Sequence, residues 1–175
     1  IEAEQAVLGG LMLDNKRLDA VLEIVSESDF FRGDHQLIFR MMLGLQEASQ
    51  PLDVITLSEE LDRHNELENA GGLAYLAEMA ANTPSSANIV AYARIVRERS
   101  TLRQLILAAQ EISKSGFNPS GLDSDDLLQM AEKRVAEIAE DRPKEGGLVG
   151  VNDLLKQTVQ RIDELFRSGS DITGI

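Results

Sequence analysis

Between Pro84 and Gly116 the chain contains neither a glycine nor a proline. The stretch reads "PSSANIVAYARIVRERSTLRQLILAAQEISKS". Nothing in it interrupts a helix, so it commits the chain to one rod that is long for a globular protein, with a small break near Ser100 left open. Gly116, Pro119 and Gly121 then mark a turn. Ser124 reads as the cap of a second helix, "DDLLQMAEKRVAEIAE", with acids in its first turn as the helix dipole favours. Leu102, Leu105, Ala109 and Ile112 on the first helix, and Leu128, Ala131, Val135 and Ile138 on the second, follow helical spacing. Two such seams joined by a short turn predict an antiparallel helical hairpin over residues 85–141.

The rest of the chain is read around that hairpin. Residues 1–84 form a small helical head. Ile1, Val7, Leu8, Leu11 and Met12 fall near helical spacing, as do Leu18, Val21, Leu22 and Val25. Asp34 is expected to cap a helix burying Leu37, Ile38, Met41, Met42 and Leu45. "PLDVIT" reads as extended or turn, and Thr56 with Glu59 reads as a capping box for the helix that follows. Gly71-Gly72 precedes another short helix. No strand pair and no internal repeat is visible. Beyond the hairpin, "RPKEGGLVG" (142–150) is a flexible linker hinged at Gly146, Gly147 and Gly150. A lone amphipathic helix follows over 151–168, with Leu154, Leu155, Val159, Ile162, Leu165 and Phe166 on its docking face, after Val151. The expected fold class is therefore all-α: head, antiparallel hairpin, flexible linker and lone linker helix.

Several kinds of chemistry are excluded. The 175 residues carry a net charge of −13, which repels phosphate backbones and anionic membranes and argues against direct nucleic-acid binding. No cysteine is present, so no disulfide or thiolate metal site forms, in keeping with a cytoplasmic protein. No run of about 18 apolar residues is available to cross a membrane. The chain opens on Ile1 rather than Met, which reads as a fragment or a missing disordered start. A phosphate-binding loop needs Gly-Lys-Ser/Thr. Of the five lysines only Lys114 precedes a hydroxyl residue, and Ser113, not Gly, comes before it. His35 and His64 stand apart from each other and from any zinc spacing, and read as structural or surface residues. "DSDD" (123–126) lacks the glycine and closing glutamate of a calcium loop and reads as a helix cap. No catalytic residue, metal ligand or cofactor site is expected. Gly9-Gly10 costs about 1–2 kcal/mol of helix propensity, and the expected return is close helix packing.

Arg94, Arg97, Arg99 and Arg103 are the other oddity. From Ala87 to Lys114 five basic and two acidic residues give a local +3, leaving −16 elsewhere. On a helical wheel these arginines scatter instead of forming one stripe. The expected role is a brace, pairing with acidic elements around the helix. The same helix is apolar nearly all round at Leu105, Ile106, Leu107, Ala108 and Ala109. One side suffices for its hairpin mate, and another is expected to meet a second copy of the chain.

Five stretches then carry a family resemblance: "EAEQAVLGGLMLD" (2–14), "DFFRGDHQLIFRMM" (29–42), "PLDVITLSEEL" (51–61), "GGLAYLAEMAANTPSSANIVAYARIVRERSTLRQLI" (71–106) and "VNDLLKQTVQRIDELF" with the closing "TGI". Together they resemble the N-terminal region of bacterial replicative DNA helicases, the DnaB family, over almost the whole chain. The resemblance implies a non-catalytic collar of a hexamer built as a trimer of dimers. It implies that residues 169–175 lead toward a motor domain using ATP and Mg, and that the whole protein is a 5′–3′ DNA helicase. Implied partners are primase, a helicase loader and the neighbouring subunit's motor domain, gripped by the linker helix. The implied location is the bacterial cytoplasm, at replication forks. Tyr75, Leu102, Leu105, Ile106, Leu107 and Ile112 are the candidate interface residues. The alternatives are the helicase-binding C-terminal domain of primase and a stand-alone acidic helical adaptor.

Overall fold

Seven α-helices and three short 3-10 turns, with no strand, make up the described residues 1–83, 85–119 and 121–140 of a computed structural model. The helices are α1 (Glu2–Leu13), α2 (Leu18–Leu22), α3 (Gly33–Glu47), α4 (Val54–Arg63), α5 (Gly72–Ala81), α6 (Ile89–Phe117) and α7 (Ser124–Glu140). The expected linker at 142–150, linker helix at 151–168 and connection at 169–175 lie outside the described residues.

α1 is the centre of the head. Its Val7, Leu8 and Leu11 are fully enclosed, and its two glycines let neighbouring helices approach closely. A Cβ at Gly9 would lie 2.2 Å from the Thr83 hydroxyl and 2.5 Å from the Met79 carbonyl oxygen. One at Gly10 would lie 2.9 Å from Ile89 Cδ1. The lost propensity therefore gives backbone-close contact with the end of α5 and the start of α6. α3 adds Ile38, Phe39, Met42 and Leu45, α4 adds Leu57 and Leu61, and α5 adds Leu76 and Met79. Phe30 and Phe39 pack ring to ring at 4.8 Å.

The long rod exists and runs unbroken through Ser100. Its membership is divided, however. Ile89, Ala93, Val96, Arg97 and Ser100 are buried in the head, so the head does not end at residue 84. Only the part of α6 beyond Ser100 projects with α7 as a hairpin.

Three caps differ from expectation, each by a short shift. Asp53, not Thr56, caps α4: its Oδ1 accepts the N–H groups of Ile55 (2.9 Å) and Thr56 (3.0 Å). Asp34 lies inside α3, which starts at Gly33. At α7, Asp123 Oδ1 accepts the N–H groups of Asp125 and Asp126, each at 2.9 Å, and Ser124 is already helical. No helix among the described residues is long and apolar enough to cross a membrane.

Candidate functional site

The hairpin seam is narrower and more polar than its sequence implies. On α6 the residue enclosed against α7 is Ala108, flanked by half-buried Thr101, Gln104, Ile112 and Ser115. On α7 it is Ile138, with half-buried Leu127 and Ala131. Leu102, Leu105 and Ala109, and likewise Leu128 and Val135, are exposed instead. This corrects the expected seam. The physical reason is that α6 is apolar around much of its circumference, so periodicity alone does not select the buried face.

Many of the exposed apolar residues share one side. Setting Ala108 at zero on the α6 wheel, Leu105, Ala109, Leu102 and Ile106 fall at about 60°, 100°, 120° and 160°. Setting Ile138 at zero on α7, Val135 and Leu128 fall at about 60° and 80°. In an antiparallel pair, equal-signed rotations away from the seam open on the same side. The two flanks therefore merge into one two-helix apolar face, with Ile106, nearly opposite the seam, at its outer edge. The opposite flank is mixed, with Leu107 exposed there among charged groups. There Arg134 bridges Glu111 (2.9 Å) and Glu137 (3.0 Å), and these contacts raise the Arg134 guanidinium above its ordinary range. Ile106 is 58% exposed and Leu128 59%, and apolar side chains grouped on one face mark a candidate interaction surface. A shallow hollow lined by Ile106, Ala109, Ser113 and Phe117 extends the face outward.

The other candidate residues sit differently. Leu107 is also exposed, at about 260° on the α6 wheel, away from this face. Tyr75 is half-buried and lies in the head. Its hydroxyl pairs with His35 Nε2 (2.7 Å) and accepts from Gln5 Nε2 (3.1 Å). His35 in turn meets Glu4 Oε2 through Nδ1 (2.6 Å), and Glu4 Oε1 accepts the Phe31 N–H (2.9 Å). With an ionised Glu4, one tautomer satisfies every member: Nδ1–H donates and Nε2 accepts. Burial alone would raise the Glu4 carboxyl, but the bonds from His35 and the Phe31 N–H outweigh it and hold it below the usual range. Gly71, at φ 95°, leaves room for the Tyr75 ring, which a Cβ there would approach to 2.6 Å. The sequence reading did not anticipate this network, because Glu4, Gln5 and His35 look like ordinary polar residues on amphipathic helices.

Two of the four arginines of α6, Arg97 and Arg103, brace the helix against the head. Arg97 Nη1 donates to Asp29 Oδ1 (2.7 Å), with the Asp29 side chain fully enclosed. Arg103 Nη2 donates to the Asp29 carbonyl (2.6 Å), and its guanidinium lies 5.3 Å from the centre of the Phe31 ring. Asp29 Oδ2 also accepts the Ser26 N–H (2.8 Å), completing a capping box. Arg94 and Arg99 are exposed. "SESD" (26–29) carried the signal for Asp29 as an S-x-x-acid pattern. Among the described residues no group of three or more His, Cys, Asp or Glu side chains is placed to hold a metal.

Residues 1–98 of this all-helical region match the family model "DnaB-like helicase N terminal domain". The chain belongs to that family. It is 47% identical over 177 aligned residues to the "Replicative DNA helicase DnaB" of Buchnera aphidicola subsp. Baizongia pistaciae (strain Bp), covering all of this chain and 38% of that protein. The chain thus spans well under half the length of this relative. The crystal structure of the N-terminal domain of DnaB helicase from Mycobacterium tuberculosis superposes with a TM-score of 0.74 at 34% identity, over 78% of this chain and 95% of that one. A DnaB-like replicative helicase, solved for its interactions with primase, shares the fold with a TM-score of 0.63 at 24% identity, over 89% of this chain and 34% of that one.

Proposed function

We propose that this region is the non-catalytic collar of a hexameric, ATP-dependent 5′–3′ replicative DNA helicase, and that it assembles through the apolar face of its hairpin. The observation that carries the reading is the pairing of Leu102, Leu105 and Ile106 with Leu128 and Val135 on one side, opposite the Glu111–Arg134–Glu137 ion pairs. An isologous contact would bring two such faces together. Fully burying these five side chains would contribute roughly 7–15 kcal/mol gross per face. Lost rigid-body freedom and side-chain ordering offset much of this. The net association is therefore modest in isolation and reinforced by ring closure.

Primase docking on the collar, a helicase loader, the linker helix as a subunit-to-subunit clamp at the neighbouring motor domain, and action at the replication fork in the bacterial cytoplasm complete the proposal. These rest on the sequence resemblance. The residues of this chain supply no Gly-Lys-Ser/Thr cradle, so no step of ATP or Mg chemistry is assigned to them. With −13 net charge on the chain and the anchoring arginines turned inward, the described residues offer single-stranded DNA no basic track. Light scattering across concentration tests the assembly. The mass is expected to rise from the 19.2 kDa of one chain to integer multiples. A mass fixed at one chain up to high concentration would refute it.

A further inference from the structure

α6 leaves the head at Ser100 without a break, and a strap crosses that exit. Up to Ser100 the helix is held by buried Ile89, Ala93, Val96 and Arg97. At the exit, the Thr101 hydroxyl donates back to the Arg97 carbonyl (3.1 Å), a bond that tends to bend helices. Beyond it, α6 offers α7 a seam in which only Ala108 is enclosed. A rod gripped only on the near side of such a point has a pivot there, whereas a grip on both sides fixes an angle. Arg97 grips on the near side and Arg103 on the far side, and both hold the same residue, Asp29, one by its carboxylate and the other by its carbonyl. The two grips differ in kind. The Arg97 contact is buried and charge-paired. Arg103 is only half-buried, bonds a neutral carbonyl, and rests on a Phe31 ring that is 62% exposed.

We propose that Arg103, with Phe31 as its platform, is a releasable latch that sets the angle between head and hairpin. Arg97–Asp29 is the permanent anchor beneath it. Opening the latch leaves no buried charge alone, because the guanidinium exchanges a neutral carbonyl for water; its cost is that of leaving the carbonyl of the enclosed Asp29 without this donor. Its leverage is large. From Arg103 to Phe117 the helix extends about 21 Å, so a swing of about 10° moves the hairpin tip by about 4 Å.

The chain has no native cysteine, so paired spin labels can be placed cleanly, at Glu59→Cys in the head and Gln129→Cys on α7. Pulsed dipolar distances are measured on the full chain, diluted with unlabelled protein to suppress contributions from association. The expected result is a single narrow distribution for the parent. It should broaden or shift by about 4 Å with Arg103→Met or Phe31→Ala, and stay unchanged with Arg99→Met. An unchanged distribution in both latch variants would overturn the proposal, even if their melting temperatures fall, since that pattern marks a merely stabilising contact. Equal broadening with Arg99→Met would overturn it as well.

Discussion

The head and the hairpin use similar proportions of apolar sequence to opposite ends. In the head, Leu8, Leu11, Ile38, Phe39, Leu57 and Leu76 lose essentially all contact with water. In the hairpin beyond Ser100, Ala108 and Ile138 are the enclosed apolar residues among those described, while Leu102, Ile106, Leu128 and Val135 stay exposed. The head closes its core within one chain and ties its polar groups into the Glu4–His35–Tyr75 and Asp29 networks. The hairpin closes only its narrow seam. Substitutions in the head should therefore cost folding, and equivalent ones on the hairpin should cost association.

The sharpest break of that contrast comes from Phe39→Ala. Phe39 is fully enclosed and packed on Phe30, and its loss should remove about 3–5 kcal/mol in urea unfolding. A loss under about 1 kcal/mol would mean the head core is not the source of stability. Gly9→Ala weighs two opposed effects. Alanine gains about 1 kcal/mol of helix propensity, but its Cβ meets the Met79 carbonyl at 2.5 Å, a backbone atom that cannot swing aside. Overpacking of about 1–3 kcal/mol should prevail, and a stabilised variant would show that α5 yields freely.

Acid sensitivity should belong to the head as well. The Glu4, Asp34 and Asp53 carboxyls are all held low. For Asp34 the bond from Arg32 is the main cause, and for Asp53 the bond from the Thr56 N–H. A depressed folded value means the stabilisation is present above the unfolded value, about 4 for these groups, and is lost as pH falls through the folded value. Thermal stability should therefore hold above about pH 5 and fall below about pH 4. Glu4→Gln should lower stability at pH 7 by about 1.5–3 kcal/mol and flatten the acid limb. An acid limb identical to the parent's would remove Glu4 from the account. Asp53→Ala deletes one cap, and about 1 kcal/mol is expected from the loss.

How much of this was legible in the sequence follows the same division. Where one face of a helix carries most of the apolar residues, much of the buried set is readable: Leu37, Ile38, Met42 and Leu45 on α3 are core as spaced, but Met41 is half-buried and Phe39, outside the expected set, is fully enclosed. Gly9-Gly10 announced a close approach, though not its partners, Met79, Thr83 and Ile89. Around Asp53-Val-Ile-Thr56 two capping residue types stand three apart, and the local pattern does not say which one starts the helix. On α6 the apolar arc is too wide for periodicity to choose a seam. The neighbour chooses it, and α7 settles on Ala108, where two backbones can come close. The polar networks were illegible for a related reason: Glu4 and His35 are 31 residues apart, and only the packing of α1 on α3 makes them a pair.

The smallest effect on the fold should accompany the largest effect on assembly. Ile106→Glu combined with Val135→Glu places charge on both helices of the apolar face while leaving Ala108, Ile138 and the head core untouched. Helicity by circular dichroism and the urea midpoint should change by no more than about 0.5 kcal/mol equivalent, as for surface sites. Sedimentation velocity at a concentration where the parent is oligomeric should then show the double variant collapsing to the mass of a single chain, because carboxylates do not bury without partners. A double variant that sediments as the parent does would contradict the central claim and move the assembly surface off the hairpin.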